Sequence, residues 1–319
     1  MKEKILSLIG VKGEVSPKEL ESLTGLGPAM LFRHLKKLQE EKKILKIGSS
    51  PKVFYKLNQD VFLESKIKID SEIIQENFSL ITATGQELLG SVGFVKWCEE
   101  RKLDINLMVE KYEEQIREYK KFFHNGYIDA TQKIQTSFKD NIFLDKLFYL
   151  DFYSYPVFGR TKISNWLFYG KTLQQKELMN KVIEISRNKI YTFVLEQKVD
   201  CVLFVPPTVP RKTQFMKVLE ESLNLSLPKV KIIKTKTPII IQQKSLKDLG
   251  DRIKNAKTSL VVETRDTHFK KLLIIDDFTG SGATLNVIAE KCKKQKVADQ
   301  VYGLTITGSI NGFEVIKEV

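Results

Sequence analysis

Two adjacent aspartates stand directly before a glycine-rich stretch in the sequence LLIIDDFTGSGATL, residues 272–285. A glycine-rich loop between a strand and a helix binds phosphate through backbone N–H groups and the helix dipole. Because carboxylates repel phosphate, Asp276 and Asp277 indicate a ligand that also carries hydroxyl groups, for which charged acceptors are strong hydrogen-bond partners. A sugar phosphate such as ribose 5-phosphate meets both requirements, with its phosphate on the loop and its diol on the acids.

The loop differs from other common phosphate-binding patterns. A P-loop requires a lysine after its second glycine, and Ala283 follows Gly282 here. In the dinucleotide fingerprint G-x-G-x-x-G, the third glycine position holds Leu285. Receiver domains also begin with a strand that ends in two acids, but they need a long later segment, and 43 residues follow Asp276. The predicted phosphate-binding residues are Thr279, Gly280, Ser281, Gly282, Ala283 and Thr284.

The sequence around the loop predicts the elements that position it. From about residue 146 onward, short apolar runs alternate with amphipathic segments, which is typical of an α/β fold with a parallel sheet covered by helices on both faces. The helix after the loop is predicted to turn Leu285, Ile288, Ala289 and Cys292 inward. The predicted strands are residues 201–205, 229–234, 272–275 and 301–307, and residues 171–197 are predicted as one long helix.

The stretch LLIIDDFTGSGAT resembles the phosphoribosyl pyrophosphate (PRPP) motif of type I phosphoribosyltransferases. Both have four apolar residues, two acids, two variable positions, small residues and then G-x-T. The stretch departs from the family at Gly280, where Thr or a similar residue is usual, so one hydroxyl contact is lost while the backbone cradle is kept. Residues 157–171, 202–214 and 243–255 follow the order of elements in ComF-type phosphoribosyltransferases. The matching positions are Gln214, Gln243, Leu246, Arg252 and Asn255.

This resemblance implies a type I phosphoribosyltransferase-like domain over residues 146–319 and roles for individual residues. The candidate catalytic residues are Asp276, Asp277 and Arg252, and the candidate pyrophosphate-binding residues are Pro207, Thr208, Arg211 and Lys212. The family's Arg-Gly-Phe-Asn-Gln run appears as Arg-Lys-Thr-Gln in residues 211–214, so a different local geometry is expected. Mg²⁺ would be held mainly by the diphosphate and hydroxyls of the ligand, because the sequence offers no dedicated metal site.

The first segment, residues 1–58, predicts three helices and a hairpin. Ser16, Pro17 and Glu19 have the spacing of a capping box with proline at the first helical position. This order resembles the winged helix-turn-helix domains of bacterial regulators, in which one helix lies in the major groove of double-stranded DNA. The residues implied to contact DNA are Met30, Arg33, His34 and Lys37 on the third helix and Lys52 in the wing. A small helical domain for dimerisation or protein docking is the alternative.

The formal net charge of +13 is unevenly distributed along the chain. It is +5 for residues 1–60, −4 for residues 61–145 and +12 for residues 146–319. Two basic ends that flank an acidic middle indicate that both ends contact polyanions. An equally good interpretation is that the lysines only form solvated surfaces. Residues 59–145 are predicted to be a helical connecting region, and we hypothesise that they serve oligomerisation, such as a homodimer.

Several classes of protein are disfavoured by composition. No stretch approaches the ~20 apolar residues of a membrane helix, and the N-terminus lacks the features of a secretory signal. Three cysteines and three histidines at scattered positions form neither a disulfide framework nor a zinc motif. We therefore expect a soluble cytoplasmic protein.

Three functional hypotheses follow from the sequence. The first is a Mg²⁺-dependent phosphoribosyltransferase that carries its own DNA-binding domain. The second is a transcriptional regulator that senses PRPP or a nucleotide without catalysis, an arrangement that resembles the purine repressors of Gram-positive bacteria in outline. The third is a ComF-like accessory protein in DNA uptake or in defence against foreign DNA.

Overall fold

The computed structural model describes residues 1–41, 43–58, 69–138, 141–235, 246, 248–263 and 267–309. The chain forms two compact units, Met1–Val109 and Glu110–Val319. Gln243 of the family resemblance and residues 59–68 of the predicted connecting region lie outside the described residues. Within the described part of the chain, none of the helices combines the length and the apolar character that crossing a membrane requires.

The first unit consists of short helices and three small antiparallel pairings. Its elements are α1 (Lys2–Lys12), β1 (Glu14–Val15), α2 (Pro17–Thr24), α3 (Pro28–Glu40), β2 (Ile44–Ser49), β3 (Lys52–Leu57), α4 (Glu72–Asn77), β4 (Ser79–Ile81), β5 (Glu87–Leu89) and α5 (Gly90–Glu100). Strands β1, β3 and β2 form one sheet in that order, and β4 pairs with β5. The three predicted helices and the hairpin are present, and β1 is an additional strand.

Local sequence signals explain where the helices of this unit begin and end. The Ser16 hydroxyl accepts the Glu19 N–H, and the Glu19 carboxylate accepts the Ser16 N–H, so the predicted capping box starts α2. Gly25 ends α2 in the left-handed region with φ 71°. The apolar stripe of α3 is fully buried against α1 and the sheet, as its spacing predicted. Its members are Leu31, Leu35 and Leu38.

The second unit is built on a mixed α/β sheet. Its elements are α6 (Ile105–Lys120, which crosses the boundary between the units), β6 (Phe123–His124), β7 (Tyr127–Asp129), α7 (Thr131–Phe138), β8 (Lys146–Phe152), β9 (Ser154–Tyr155), β10 (Gly159–Arg160), α8 (Lys162–Leu173), α9 (Lys176–Glu196), β11 (Cys201–Phe204), α10 (Phe215–Leu223), β12 (Ile232–Lys234), α11 (Leu249–Ser259), β13 (Leu260–Val262), β14 (Phe269–Thr279), α12 (Ala283–Lys294) and β15 (Ala298–Gly308).

The central sheet is mostly parallel, as the sequence predicted. Among the described residues it has six strands in the order β11-β14-β15-β8-β7-β6, of which the first four are parallel. Strands β7 and β6 add to it antiparallel, although they fall in the segment predicted as helical. Asn125 (φ 53°) and Gly126 (φ 86°) form the two-residue turn between them, a known hairpin pair. The sheet therefore begins before residue 146.

The two faces of the sheet are covered by different helices. Leu272 and Ile274 of β14 pack in one buried cluster with residues of α12, whereas Leu273 and Ile275 pack in another with residues of α8 and α9. The long helix predicted over residues 171–197 is present as α9, Lys176–Glu196, but its predicted start is wrong. Gln174, in the left-handed region with φ 58°, ends α8, and α9 starts at Lys176. The amphipathic pattern continued across this break, so periodicity alone concealed it.

Candidate functional site

The glycine-rich loop joins the carboxyl end of β14 to the first turn of α12. Gly282 is the N-cap residue of α12 with φ 81°, and a Cβ atom there would lie 2.3 Å from Ile134 Cδ1. This position therefore requires glycine. At Gly280, by contrast, a Cβ atom would meet Phe278 at 3.5 Å, which is an ordinary contact. The departure from the family at Gly280 is thus not imposed by crowding.

The loop consists of buried and half-buried residues. Its buried members are Thr279, Ser281, Gly282 and Ala283, and its half-buried members are Gly280 and Thr284. The first N–H groups of a helix have no intrahelical partner and carry the positive end of the helix dipole. The first turn of α12 therefore has the electrostatics that an anion requires. The Thr279 hydroxyl is buried and has no hydrogen-bond partner among the described residues.

The two aspartates have different surroundings because adjacent residues of a strand face opposite sides of a sheet. Asp277 forms an ion pair with Lys171 of α8 and is 15% exposed. The Asp276 Oδ1 atom accepts the Asp277 N–H at 2.8 Å. Burial raises the pKa of Asp276 well above its ordinary value, and the charge of Asp277 adds to this effect, while Lys171 and Lys234 oppose it. Asp276 is thus a carboxyl held in surroundings that disfavour its charge.

Lys234 of β12 connects the aspartates to the loop after β11. Its Nζ atom donates to the Thr208 Oγ1 atom at 2.8 Å. Burial lowers the pKa of Lys234, and the nearby Asp276 partly restores it. Neither Lys171 nor Lys234 was assigned to the site from sequence. Lys171 lies in one of the segments quoted for the ComF resemblance, but no local pattern links it to Asp277.

The loop after β11 lies at the same sheet edge as the aspartates, because β11 and β14 are adjacent and parallel. The Gln174 Oε1 atom accepts the Thr213 N–H at 2.8 Å, and the Gln214 Nε2 atom donates to the Val209 carbonyl at 2.9 Å. These two hydrogen bonds hold residues 209–214 of this loop in place. The predicted pyrophosphate-binding residues lie between or beside these anchors. Pro207 and Lys212 are exposed, and Thr208 and Arg211 are half-buried.

Arg252 of α11 lies against the glycine-rich loop. Its side chain is 9% exposed, and its Nε atom donates to the Leu246 carbonyl at 3.0 Å. A Cβ atom on Gly280 would lie 3.9 Å from the Arg252 Nη1 atom. A buried guanidinium beside a helix N-terminus adds positive charge to the loop. The structure therefore brings Arg252 to the predicted phosphate-binding residues.

A third carboxylate, Asp151, lies at the same edge near the end of β8. Thr307 of β15 pairs with Phe278 on one side and with Asp151 on the other. Burial raises the pKa of Asp151 to about 7, against the opposing effects of the Phe152 N–H, Lys189 and the Thr161 hydroxyl. The sequence analysis did not single out this residue, because nothing near it resembles a motif.

The residues predicted to contact DNA are exposed or half-buried in the first unit. Met30 is 53% exposed, Arg33 and Lys37 are exposed, and His34 is half-buried. These side chains occupy the face of α3 opposite its buried leucines. Lys52 is exposed at the start of β3, in the tight turn of the β2–β3 hairpin.

Two further features of the described residues are their metal-ligating side chains and their cysteines. No group of three or more His, Cys, Asp or Glu residues there could hold a metal ion. Cys98, Cys201 and Cys292 are buried, and burial raises the pKa of each thiol. Buried thiols of this kind are small core residues rather than nucleophiles.

Comparison with solved structures gives a weak similarity of fold. No protein-family profile and no curated protein matches the chain. Part of the chain is similar to the crystal structure of a hypoxanthine phosphoribosyltransferase from Staphylococcus aureus, with a TM-score of 0.26 and 12% sequence identity. This similarity covers 42% of the present chain and 66% of the other chain.

Proposed function

We propose that the unit Glu110–Val319 binds PRPP or a nucleotide together with Mg²⁺ and that the unit Met1–Val109 binds double-stranded DNA. The observation that carries the first part is the junction of β14 and α12. There a glycine-rich helix start, a buried arginine and two carboxylates meet at the carboxyl edge of a parallel sheet. Ligands of open α/β sheets bind at this edge.

The 5′-phosphate of the ligand would lie on the first turn of α12. Backbone N–H groups from Gly280 to Thr284 would donate to it, because helix starts favour anions. Arg252 lies beside Gly280 and would add a charge-assisted contact. The buried Thr279 hydroxyl, which has no partner among the described residues, would gain one when the ligand is bound.

The ribose hydroxyls would then reach the two aspartates. Asp277 is paired with Lys171 in this structure, so a bound diol would share or replace that contact. Asp276 has a raised pKa. Hydroxyl donors would stabilise its charged form and lower that pKa, because hydrogen bonds to a carboxylate favour ionisation. Ligand binding would therefore release protons at a pH below the ligand-free pKa of Asp276.

The pyrophosphate group would lie toward β11, where Thr208, Arg211 and Lys212 line the loop. Lys234 already contacts Thr208 and would add a further cation. Mg²⁺ would be held mainly by the diphosphate and hydroxyls of the ligand. If turnover occurs, preorganised charge would stabilise the departing pyrophosphate while an amine or base nitrogen attacks the ribose.

A winged-helix function of the first unit is supported by its order of elements. Three helices precede a hairpin, and the exposed face of α3 carries Arg33 and Lys37. Winged helix-turn-helix proteins use such a face for base contacts and the hairpin for backbone contacts. The same elements would also serve a protein-docking module, so the DNA test below decides between them.

Ligand binding is tested by calorimetry with PRPP and Mg²⁺ on the full-length protein. We expect the Asp276→Asn/Asp277→Asn double variant to lose at least about 100-fold in affinity, because two charged acceptors are removed. Asp299→Asn, an exposed change at the other end of the sheet, is the matched control and is expected to bind normally. Unchanged affinity in the double variant would refute the assignment of the diol.

A pyrophosphate assay over a panel of nucleobases and amines separates an enzyme from a regulator. Release of pyrophosphate with one acceptor would establish transfer. PRPP-dependent DNA affinity without release would establish sensing.

DNA binding is tested by the salt dependence of duplex retention. We expect Arg33→Ala to weaken retention about tenfold, and Lys4→Ala, on an exposed position of α1, to leave it unchanged. If the intact protein does not retain duplex DNA at any moderate salt concentration, the first unit is a protein-contact module.

A further inference from the structure

The β9–β10 hairpin carries an arginine that forms no ion pair with the described residues. The Arg160 Nε atom donates to the Tyr153 hydroxyl at 2.9 Å, and the guanidinium carbon lies 3.8 Å from the centroid of the Phe168 ring. The two Nη groups have no hydrogen-bond or ion-pair partner among the described residues, and they are open to solvent. One edge and one face of the guanidinium are therefore fixed, while its other edge is available to a ligand.

Two contacts place this arginine beside the proposed PRPP site. Tyr153, which holds the Nε atom, packs edge-to-face on Phe278, the residue that follows the two aspartates, with ring centroids 4.8 Å apart. Phe168 lies one helical turn before Lys171 on α8, and Lys171 forms the ion pair with Asp277. The guanidinium is thus connected to the end of β14 through the hairpin and, separately, through α8.

The order of the strands indicates which part of a ligand would lie there. In the sheet, β11 and β8 are on opposite sides of β14. The proposed pyrophosphate site lies toward β11, and the proposed 5′-phosphate site lies on α12. A group that displaces pyrophosphate approaches the ribose from the face opposite to the leaving group, which is the side of β8 and of the hairpin that follows it. The arginine therefore lies on the side where a base joined to the ribose would lie.

The donors of this arginine match a carboxylate on that base. The phosphate groups of PRPP already have N–H donors and cations in the proposed site, so a further anion-binding group requires a further anion on the ligand. The two Nη groups offer coplanar donors, and the two oxygens of a carboxylate accept from them as a bidentate pair. The Phe278 ring is half-buried, so part of it is available for contact with a planar base.

We propose that the ligand contains a planar heterocyclic base with a carboxylate, and that the two Nη groups of Arg160 bind this carboxylate. The inference rests on the proposed function, because it concerns the base that the same site would hold. Tyr153 and Phe168 are positioning residues, since they fix the plane of the guanidinium. A neutral base in the same place would leave the arginine without an acceptor and would bind more weakly.

Calorimetry of the full-length protein with two matched pairs of nucleotides tests the carboxylate. Orotidine 5′-monophosphate differs from uridine 5′-monophosphate by one carboxylate, and nicotinate mononucleotide has a carboxylate where nicotinamide mononucleotide has a neutral amide. We expect the acid of at least one pair to bind at least about tenfold more tightly than its neutral partner, since a charge-assisted pair is gained. Equal affinity within both pairs would overturn the inference.

A parallel titration with PRPP and Mg²⁺ separates a failure of this inference from a failure of the proposed function. If PRPP binds and none of the four nucleotides does, the inference alone is overturned. If neither PRPP nor any of the nucleotides binds, the proposed function is refuted and the inference with it.

Variants locate the effect at the arginine. Arg160→Gln is expected to weaken binding of the acid about tenfold and to leave the affinities for its neutral partner and for PRPP unchanged. Arg187 is exposed and lies over the Tyr191 ring of α9 at 5.8 Å, so Arg187→Gln is the matched control that leaves all of these affinities unchanged. Loss of PRPP affinity in Arg160→Gln would place a phosphate on this arginine and overturn the inference.

A second variant applies if Arg160→Gln does not fold. Tyr153→Phe removes only the hydroxyl that accepts from the Nε atom. It is expected to weaken binding of the acid several-fold, because the guanidinium loses its fixed orientation, and to leave the neutral nucleotide unaffected. An equal loss for both nucleotides, or no loss for the acid, would overturn the inference.

Discussion

The two ends of the parallel sheet surround their aspartates in opposite ways. At the amino end, Asp200 accepts the backbone N–H groups of Lys270 and Lys271 at 3.0 and 2.9 Å. At the same end, Asp145 accepts the Val301 N–H at 2.7 Å. Each of these carboxylates therefore joins its own strand to the start of a neighbouring one.

At the carboxyl end, two of the three carboxylates accept bonds from the next residue rather than from another strand. Asp276 accepts the Asp277 N–H, and Asp151 accepts the Phe152 N–H. Burial raises the pKa of both carboxyls. The comparison teaches that aspartates at the amino end receive main-chain donors from a neighbouring strand, whereas Asp276 and Asp151 at the carboxyl end lie where burial disfavours their charge. Carboxyls with a raised pKa are candidates for function, since a ligand can supply hydrogen-bond donors to them.

The largest expected effect is the pH dependence caused by Asp151. Its pKa rises from an ordinary value of 3.8 to about 7, so the folded protein binds this proton more tightly than the unfolded chain. The associated stability is fully present below pH 3.8 and is lost as the pH rises through about 7. A shift of this size corresponds to on the order of 4 kcal/mol. We expect Asp151→Asn to become more stable relative to the unchanged protein across this interval, as measured by urea denaturation at several pH values.

This variant tests the comparison between the two ends of the sheet, because it changes a single carboxylate at the carboxyl end. If the difference between the two proteins in the free energy of unfolding is the same at all pH values, Asp151 is not held in unfavourable surroundings.

A substitution at the amino end of the sheet is expected to have an intermediate effect on the free energy of unfolding. Asp200→Ala removes the acceptor for two backbone N–H groups and should lower the free energy of unfolding by about 1–3 kcal/mol. Asp200→Asn keeps one carbonyl oxygen and should lose less. Chemical denaturation at pH 7 measures both. If Asp200→Ala leaves the free energy of unfolding unchanged, Asp200 does not stabilise the amino end of the sheet, and the difference between the two ends is refuted.

The last expected effect is again a gain in stability, at the carboxyl end of the sheet. Asp276→Asn removes a half-buried carboxyl whose pKa is raised, and it should increase the free energy of unfolding at pH 7. The same denaturation experiment applies, with PRPP affinity as a second measurement. Loss of affinity together with a gain in stability is the expected pattern for a ligand-binding group. A loss of stability would show instead that Asp276 holds the fold together.

The sequence was most informative where the signal is local. The strand, loop and helix around residues 272–285 and the capping box at Ser16 depend on neighbours within a few positions, and the structure contains all of these elements. The apolar stripe of α3 is equally local. Such features follow from periodicity and backbone conformation, which do not require knowledge of the tertiary fold.

Long-range partners could not be found in the same way. Lys171 and Asp277 are 106 residues apart in the chain, and no spacing rule connects them. The burial of Asp151 depends on aromatic residues and helices that assemble only in the folded unit. The β6–β7 hairpin is a different case. Its Asn-Gly turn was visible in the sequence, but strands of two and three residues are too short to show alternation.

The positions of the three cysteines make the protein a convenient subject for labelling. Cys98, Cys201 and Cys292 are each inaccessible to solvent in the core, and their thiolate forms are strongly disfavoured. A maleimide dye will therefore react with a single engineered cysteine on the surface without prior removal of the native ones. A fluorophore attached to the rim of the glycine-rich loop would then report occupancy of the proposed PRPP site.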